Sequence, residues 1–170
     1  MTRSRPGAAL TDLILEVFRL NGRLLMVGDL LTRPLGQTSA RWQVLGALDD
    51  GAHPVSQIAR SMGLTRQSVQ RTADRLETEG LVAYRDNPAH RRAKLVSLTS
   101  VGRSALDWIS EQQRIWSNDI GARLDATELE RTVEVLRRVR AALESGTKAA
   151  MRPARRARSM KARARRTATR

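Results

Sequence analysis

Apolar residues recur at helical spacing from Ala8 to Leu31, where Leu10, Leu13, Ile14, Val17, Phe18, Leu24 and Leu25 alternate with Asp12, Glu16, Arg19 and Arg23. The pattern predicts one long amphipathic helix, ended by Pro34 and Gly36. Ser39 stands in cap position before a second short helix carrying Trp42, Val44, Leu45 and Leu48, which Asp49-Asp50-Gly51 closes. After Pro54 a third helix, Val55 to Met62, places Ile58, Ala59 and Met62 on one face and ends at Gly63. Thr65 is the expected N-cap of a fourth, whose apolar side is Val69, Ala73 and Leu76 and whose end is Gly80.

Two β-prone runs follow, Leu81 to Tyr84 and Lys94 to Leu98, separated by a basic loop with Asn87-Pro88; they read as a hairpin with an extended tip. Thr99 then caps a long helix bearing Val101, Leu106, Trp108, Ile109, Ile115, Trp116 and Ile120, and Asp125 with Glu128 forms a capping box before Leu129, Val133, Leu136, Val139 and Leu143. Trp42, Trp108 and Trp116 lie on apolar helical faces, which predicts core positions. The fold class expected is mainly α with a small β-wing: a winged helix-turn-helix lobe plus a helical dimerisation region formed by the N- and C-terminal helices. The lobe spans about 39–99 and the dimerisation helices about 8–33 and 100–145, within a domain of residues 1–146.

Charge changes the picture at the C-terminus. The 170-residue chain has 31 Lys and Arg against 17 Asp and Glu, a formal net charge of +14, and ten of the cations lie in residues 147–170 with no acidic residue among them. Residues 1–146 therefore hold 21 cations against 17 anions, only +4. With little beyond Ala for apolar content, the 147–170 tail cannot offset the entropy of ordering its backbone and is expected to be disordered without a partner. Its Arg152, Arg155, Arg156, Arg158, Lys161, Arg163, Arg165 and Arg166 suit phosphates, bound by counterion release without sequence preference.

No cysteine is present, which excludes disulfides, thiolate metal sites and cysteine nucleophiles. No apolar run approaches a membrane span, and a cytoplasmic, nucleoid-associated protein is expected. His53 and His90, the only histidines, are far apart and lack carboxylate partners at ligand spacing, so neither metal nor cofactor is expected. No nucleophile with a matched base appears, and the chain is read as a non-enzyme.

The segments Ser39-Ala40-Arg41-Trp42, Gln57-Ile58-Ala59, Gly63 through Val69, Asp74-Arg75-Leu76-Glu77, Gly80-Leu81-Val82, Arg91-Arg92-Ala93 and Leu98 through Gly102 occur in the order of one known family. Over roughly residues 10–145 the sequence resembles the MarR family of winged helix-turn-helix regulators. The resemblance implies a sequence-specific, homodimeric regulator that binds double-stranded DNA. The architectural alternative is a nucleoid-associated, DNA-coating protein with mainly sequence-independent binding.

On the fourth helix Thr65, Arg66, Gln67, Ser68, Gln70, Arg71 and Arg75 are the candidate contacts: Arg can be bidentate to guanine, Gln to adenine, and Ser reaches base or phosphate. Asp74 would repel phosphate and is assigned to a pair with a neighbouring Arg or to a dimer-facing side. The wing offers Arg85, His90, Arg91, Arg92 and Lys94, and the resemblance implies that Arg91 or Arg92 enters the minor groove, where A·T-rich sequence attracts Arg. His90 stands where the family usually has Asp, so Asp86 is the carboxylate left to position the wing. The resemblance also implies a small aromatic or lipophilic effector in a crevice that maps to Leu24, Gly28, Trp42 and Trp116.

Overall fold

The computed structural model describes residues 3–90 and 93–150, with the backbone alone for 147–150. It comprises α1 (Arg5–Thr32), a 3-10 turn (Arg33–Leu35), α2 (Ser39–Gly46), β1 (His53–Pro54), α3 (Val55–Ser61), α4 (Arg66–Thr78), β2 (Val82–Arg85), β3 (Leu95–Leu98), α5 (Ser100–Gly121) and α6 (Ala126–Ala150). The chain divides into two compact units, one ending at Trp116 and the other beginning at Ser117.

Each boundary in the first unit has a local cause. Helix α1 starts at Arg5, three residues earlier than the apolar pattern suggests, because Ser4 accepts a hydrogen bond from the Gly7 N–H and Pro6 suits the first turn. Gly36 ends the 3-10 turn in the left-handed region at φ 64°. Thr38, not Ser39, caps α2: its extended backbone carries a hydroxyl that accepts from the Arg41 N–H. Ser39 is already helical, its N–H donates to Asp29 Oδ1 at 2.7 Å, and a Cβ on Gly28 would lie 2.6 Å from its hydroxyl. Glycine at position 28 therefore lets α1 and α2 meet.

Gly63 turns at φ 65° between α3 and α4, and Thr65 caps α4 by accepting from the Ser68 N–H at 3.1 Å. Gly80 at φ 74° closes the helix and passes the chain into β2. The sheet is antiparallel in the order β1-β3-β2, with Val82 opposite Leu98 and Arg85 opposite Leu95. β1, only two residues long, pairs His53 with Val96 and Pro54 with Leu95, a strand the sequence pattern does not predict. Thr99 caps α5 by accepting from the Gly102 N–H and donates its hydroxyl to the Gly80 carbonyl at 2.7 Å.

Val44, Leu45, Leu48, Ile58, Val69, Ala73, Leu76, Val82 and Val96 form one continuous core beneath this lobe. Trp42 packs on its margin half-buried, whereas Trp108 is 37% exposed, contrary to its expected core position. The lobe covers only part of the α5 face that carries Trp108.

The second unit contains the end of α5, a turn and α6. Asp125 caps α6 by accepting from the Glu128 N–H at 2.8 Å. Arg123 is paired to Asp119 one turn back. Along α6, Leu129, Val133, Val135 and Leu143 are exposed.

Candidate nucleic-acid interface

Helix α4 is divided lengthwise. Val69, Ala73 and Leu76 are wholly buried and anchor it to the core, while Arg66, Gln67, Arg71 and Arg75 are exposed and Ser68 and Gln70 half-buried. Arg66 and Arg71 have no ion pair with any described residue, which leaves two guanidinium groups free to take phosphate oxygens or the acceptor edge of guanine. Arg75 is committed otherwise: its Nε donates to Glu79 Oε1 at 2.7 Å.

Glu79 is the centre of a cluster that fixes the end of α4. Its Oε2 accepts from Arg41 Nη1 at 3.1 Å and from Gln37 Nε2 at 3.3 Å, so the α2 approach and α4 are held through one carboxylate. Burial alone would raise its pKa, but the hydrogen bonds from Gln37 and Arg75 and the charges of Arg41 and Arg75 hold it below the ordinary carboxylate range.

Among the described residues Asp74 pairs with no arginine. Its Oδ1 accepts from Tyr84 Oη and from Gln70 Nε2, each at 2.7 Å, and Gln70 Nε2 also donates to Tyr84 Oη at 2.7 Å. Burial, then the hydrogen bond to Asp74 and its charge, push the Tyr84 phenol well above its usual range, so it remains a donor near neutrality. The carboxylate that would repel DNA thus ties α4 to β2. No sequence signal points to Tyr84: its role depends on β2 lying beside α4.

Between α4 and the wing runs a groove of about 310 Å³ lined by Pro54, Ser56, Arg66, Gln70, Tyr84 and Lys94. It brings Arg66 and Gln70 of the predicted helix set together with Lys94 of the predicted wing set. Arg85 and His90 are exposed on the wing, where the His90 N–H closes a turn onto the Asn87 carbonyl at 3.1 Å. Arg91, Arg92 and the tail residues Arg152 to Arg166 lie outside the described residues.

A second, larger crevice of about 490 Å³ opens between α1, α2 and the lobe-side part of α5. Leu24, Gly28, Trp42 and Trp116, expected to line it, all do. The sequence reading misses Asn21, Gln43 and Gln113, polar neighbours of Leu24, Trp42 and Trp116 on the same helices, and Met62, which follows α3. No charged side chain lines this crevice among the described residues. Among the described residues no helix is long and apolar enough to cross a membrane.

Comparison with known proteins places this architecture. A family model described as MarR family matches residues 35–93, the stretch from the α2 approach to the wing. An uncharacterized protein of Mycobacterium tuberculosis is 40% identical over 133 residues, covering 78% of this chain and 93% of its own length. Among solved structures, Sco5413, a MarR family transcriptional regulator from Streptomyces coelicolor, is 30% identical with a TM-score of 0.69, covering 82% of this chain and 98% of its own. The M. tuberculosis transcriptional regulator MosR, solved in complex with DNA, shares the fold at 24% identity and a TM-score of 0.64, over 76% of this chain and 96% of its own.

Proposed function

This chain belongs to the MarR family of transcriptional regulators, and on that premise we propose that it works as a homodimer that reads duplex DNA sequence through α4. The wing grips the adjacent groove, and the basic tail adds affinity without sequence preference. The observation that carries this reading is the division of α4: three buried apolar side chains fix its position while Arg66, Gln67 and Arg71 are exposed, the two arginines with no ion pair to any described residue. A helix so anchored can enter a major groove without disturbing the core.

The homodimer is supported by apolar side chains that α1 and α6 leave exposed, among them Phe18, Met26 and Leu30 on one and Leu129, Val133 and Leu143 on the other. The crevice supports control by a small uncharged aromatic or lipophilic molecule, since two indoles and several amides line it without a countercharge for an acid. Quenching of tryptophan fluorescence by neutral aromatics, and not by their carboxylate analogues, checks that selectivity.

A second reading, a DNA-coating architectural protein, is favoured by the ten cations of residues 147–170. One measurement separates the two: binding of the parent, an Arg71→Ala variant and a chain ending at Gly146 to a randomised duplex library at two salt concentrations. Sequence reading by Arg71 costs about 1 to 3 kcal/mol on the best site, with little loss on random DNA and relaxed preference at one base pair. Tail removal weakens all duplexes alike and lowers the salt dependence. Uniform loss at unchanged preference for Arg66→Ala, Arg71→Ala and Arg75→Ala alike would establish the architectural reading instead.

A further inference from the structure

We infer that Ser56, Arg66 and Lys94 form a cradle for one phosphate of the DNA backbone, so that Arg66 sets the register of α4 on the duplex and reads no base. The inference rests on the reading that α4 enters a major groove, and it divides the exposed arginines of that helix: Arg66 positions it and Arg71 reads.

Three stretches distant in the chain meet here for identifiable reasons. β1 pairs Pro54 with Leu95 of β3. That register brings Lys94, the residue before β3, to the start of α3, where Ser56 lies in the first turn. Gly63 turns the chain between α3 and α4, and Arg66 is the first residue of α4 after its cap Thr65. All three side chains line the groove of about 310 Å³ between α4 and the wing.

The groove suits an anion. Among the described residues two cations and no carboxylate line it. Ser56, Arg66 and Lys94 are all exposed, and their side chains make no hydrogen bond or ion pair with any described residue. Two like charges on one groove repel each other, and an anion between them turns that repulsion into attraction. Asp74 of α4 does not line the groove, and its Oδ1 already accepts from Tyr84 Oη and Gln70 Nε2.

The donor set favours a phosphate over a base. A hydroxyl, an ammonium and a guanidinium all donate, and none of the three requires a donor in return. A phosphate group presents only acceptors and takes donors from several directions. Guanine, the base with most acceptors on its major-groove edge, offers two, both in the plane of the ring. Phosphate contacts fix register and orientation and carry no sequence information directly, which leaves base reading to residues further along α4.

The test uses the full chain and the preferred duplex from the randomised library, with single phosphates replaced in turn by neutral methylphosphonate. One phosphate position in each half-site should cost the parent about tenfold or more in affinity. At that position the replacement should cost Arg66→Ala and Lys94→Ala little further, because one partner of the contact is already gone. Ser56→Ala should lose about two- to tenfold and map to the same phosphate. Arg66→Lys should keep most of the parent's affinity, since a point charge serves a phosphate but not a bidentate guanine. Base preference should be the parent's in all four variants, and so should thermal melting. An Arg66→Ala variant that flattens preference at one base pair overturns the inference, as do Arg66 and Lys94 losses that track different phosphates. If no phosphate couples to these variants while Arg71→Ala flattens a position, α4 reads DNA without this cradle. If Arg71→Ala flattens no position either, the reading on which the inference rests has failed as well.

Discussion

Helices α4 and α1 are both amphipathic, but they differ in where their apolar residues end up. In α4, 13 residues long, the three apolar positions that face inward are wholly buried within one chain. In α1, 28 residues long, only Gly28 and Thr32 are buried, and Phe18 is 68% exposed. On the polar side of α4, Asp74, Gln70 and Arg75 are engaged within the lobe while Arg66 and Arg71 have no ion pair with any described residue, whereas α1 leaves apolar side chains exposed. Fully burying a side chain the size of Leu or Phe contributes about 1.5–3 kcal/mol, so a few such positions on each helix represent a strong drive toward association. The lobe buries its core in one copy; the terminal helices leave apolar side chains exposed that the proposed second copy would cover.

Breaking the terminal helices should have the largest effect. Leu129→Asp with Val133→Asp places two charges on the exposed apolar positions of α6 and should yield monomers by sedimentation at micromolar concentration. Because two linked recognition helices bind with an avidity about 10²–10⁴ above one, affinity for a palindromic site should fall by that order. The melting of the lobe should change little, since neither residue belongs to its core. A parent that sediments as a monomer removes the basis of the comparison.

The next effect comes from the lobe. A Cβ on Gly102 would collide with the Leu81 carbonyl oxygen, which is the acceptor for the Thr99 N–H. Gly102→Ala must displace that backbone, at a cost of about 1–3 kcal/mol or more. In α1 a Cβ on Gly22 meets nothing within 4 Å, so Gly22→Ala should instead raise the stability of the isolated chain by up to about 1 kcal/mol through helix propensity. Thermal melting of the two variants gives opposite signs if lobe and terminal helix are packed as differently as described.

Smaller still is the cap of α4. Thr65→Ala leaves the Ser68 N–H without its acceptor and should cost about 1 kcal/mol. If the unfolding midpoint does not move, the start of α4 is held by its packed face alone.

How much of this is legible in the sequence depends on the range of the interaction. The limits of α4 are, because Thr65, Gly63 and Gly80 act on their own neighbours and Val69, Ala73 and Leu76 follow helical spacing. β1 is not, because Pro54 carries no strand signal and the pairing partners, Leu95 and Val96, lie some forty residues on. The sequence marks Asp74 as a group in need of a partner and offers neighbouring arginines for the role. The tyrosine that answers it comes from a strand. Ser39 and Thr38 are both competent caps, and only the fit of Ser39 against Gly28 decides between them. Trp108 departs from its expected place because an apolar face identifies what must be covered, not which chain covers it.

The last and smallest effect isolates Glu79, which joins the end of α4 to the segment that follows α1. Its folded-state pKa lies below the ordinary carboxylate value, despite burial, because Gln37, Arg75 and Arg41 favour the ionised form. A depressed carboxylate stabilises the fold fully above its unfolded-state pKa, and the contribution is lost as pH falls through the folded-state value. Near neutrality Glu79→Gln should therefore be less stable than the parent. The side chain is 24% exposed and its arginine pairs are partly solvated, so the difference should stay below about 1 kcal/mol. On acidification through the carboxylate range the parent should lose this advantage and the two melting curves should converge. Asp50 and Glu111, also depressed but on the surface, titrate equally in both proteins and cancel from the comparison. A constant difference down to the acid limit would mean that the amide variant fails through shape and not through charge. A difference that widens on acidification would reverse the assigned sign of the shift.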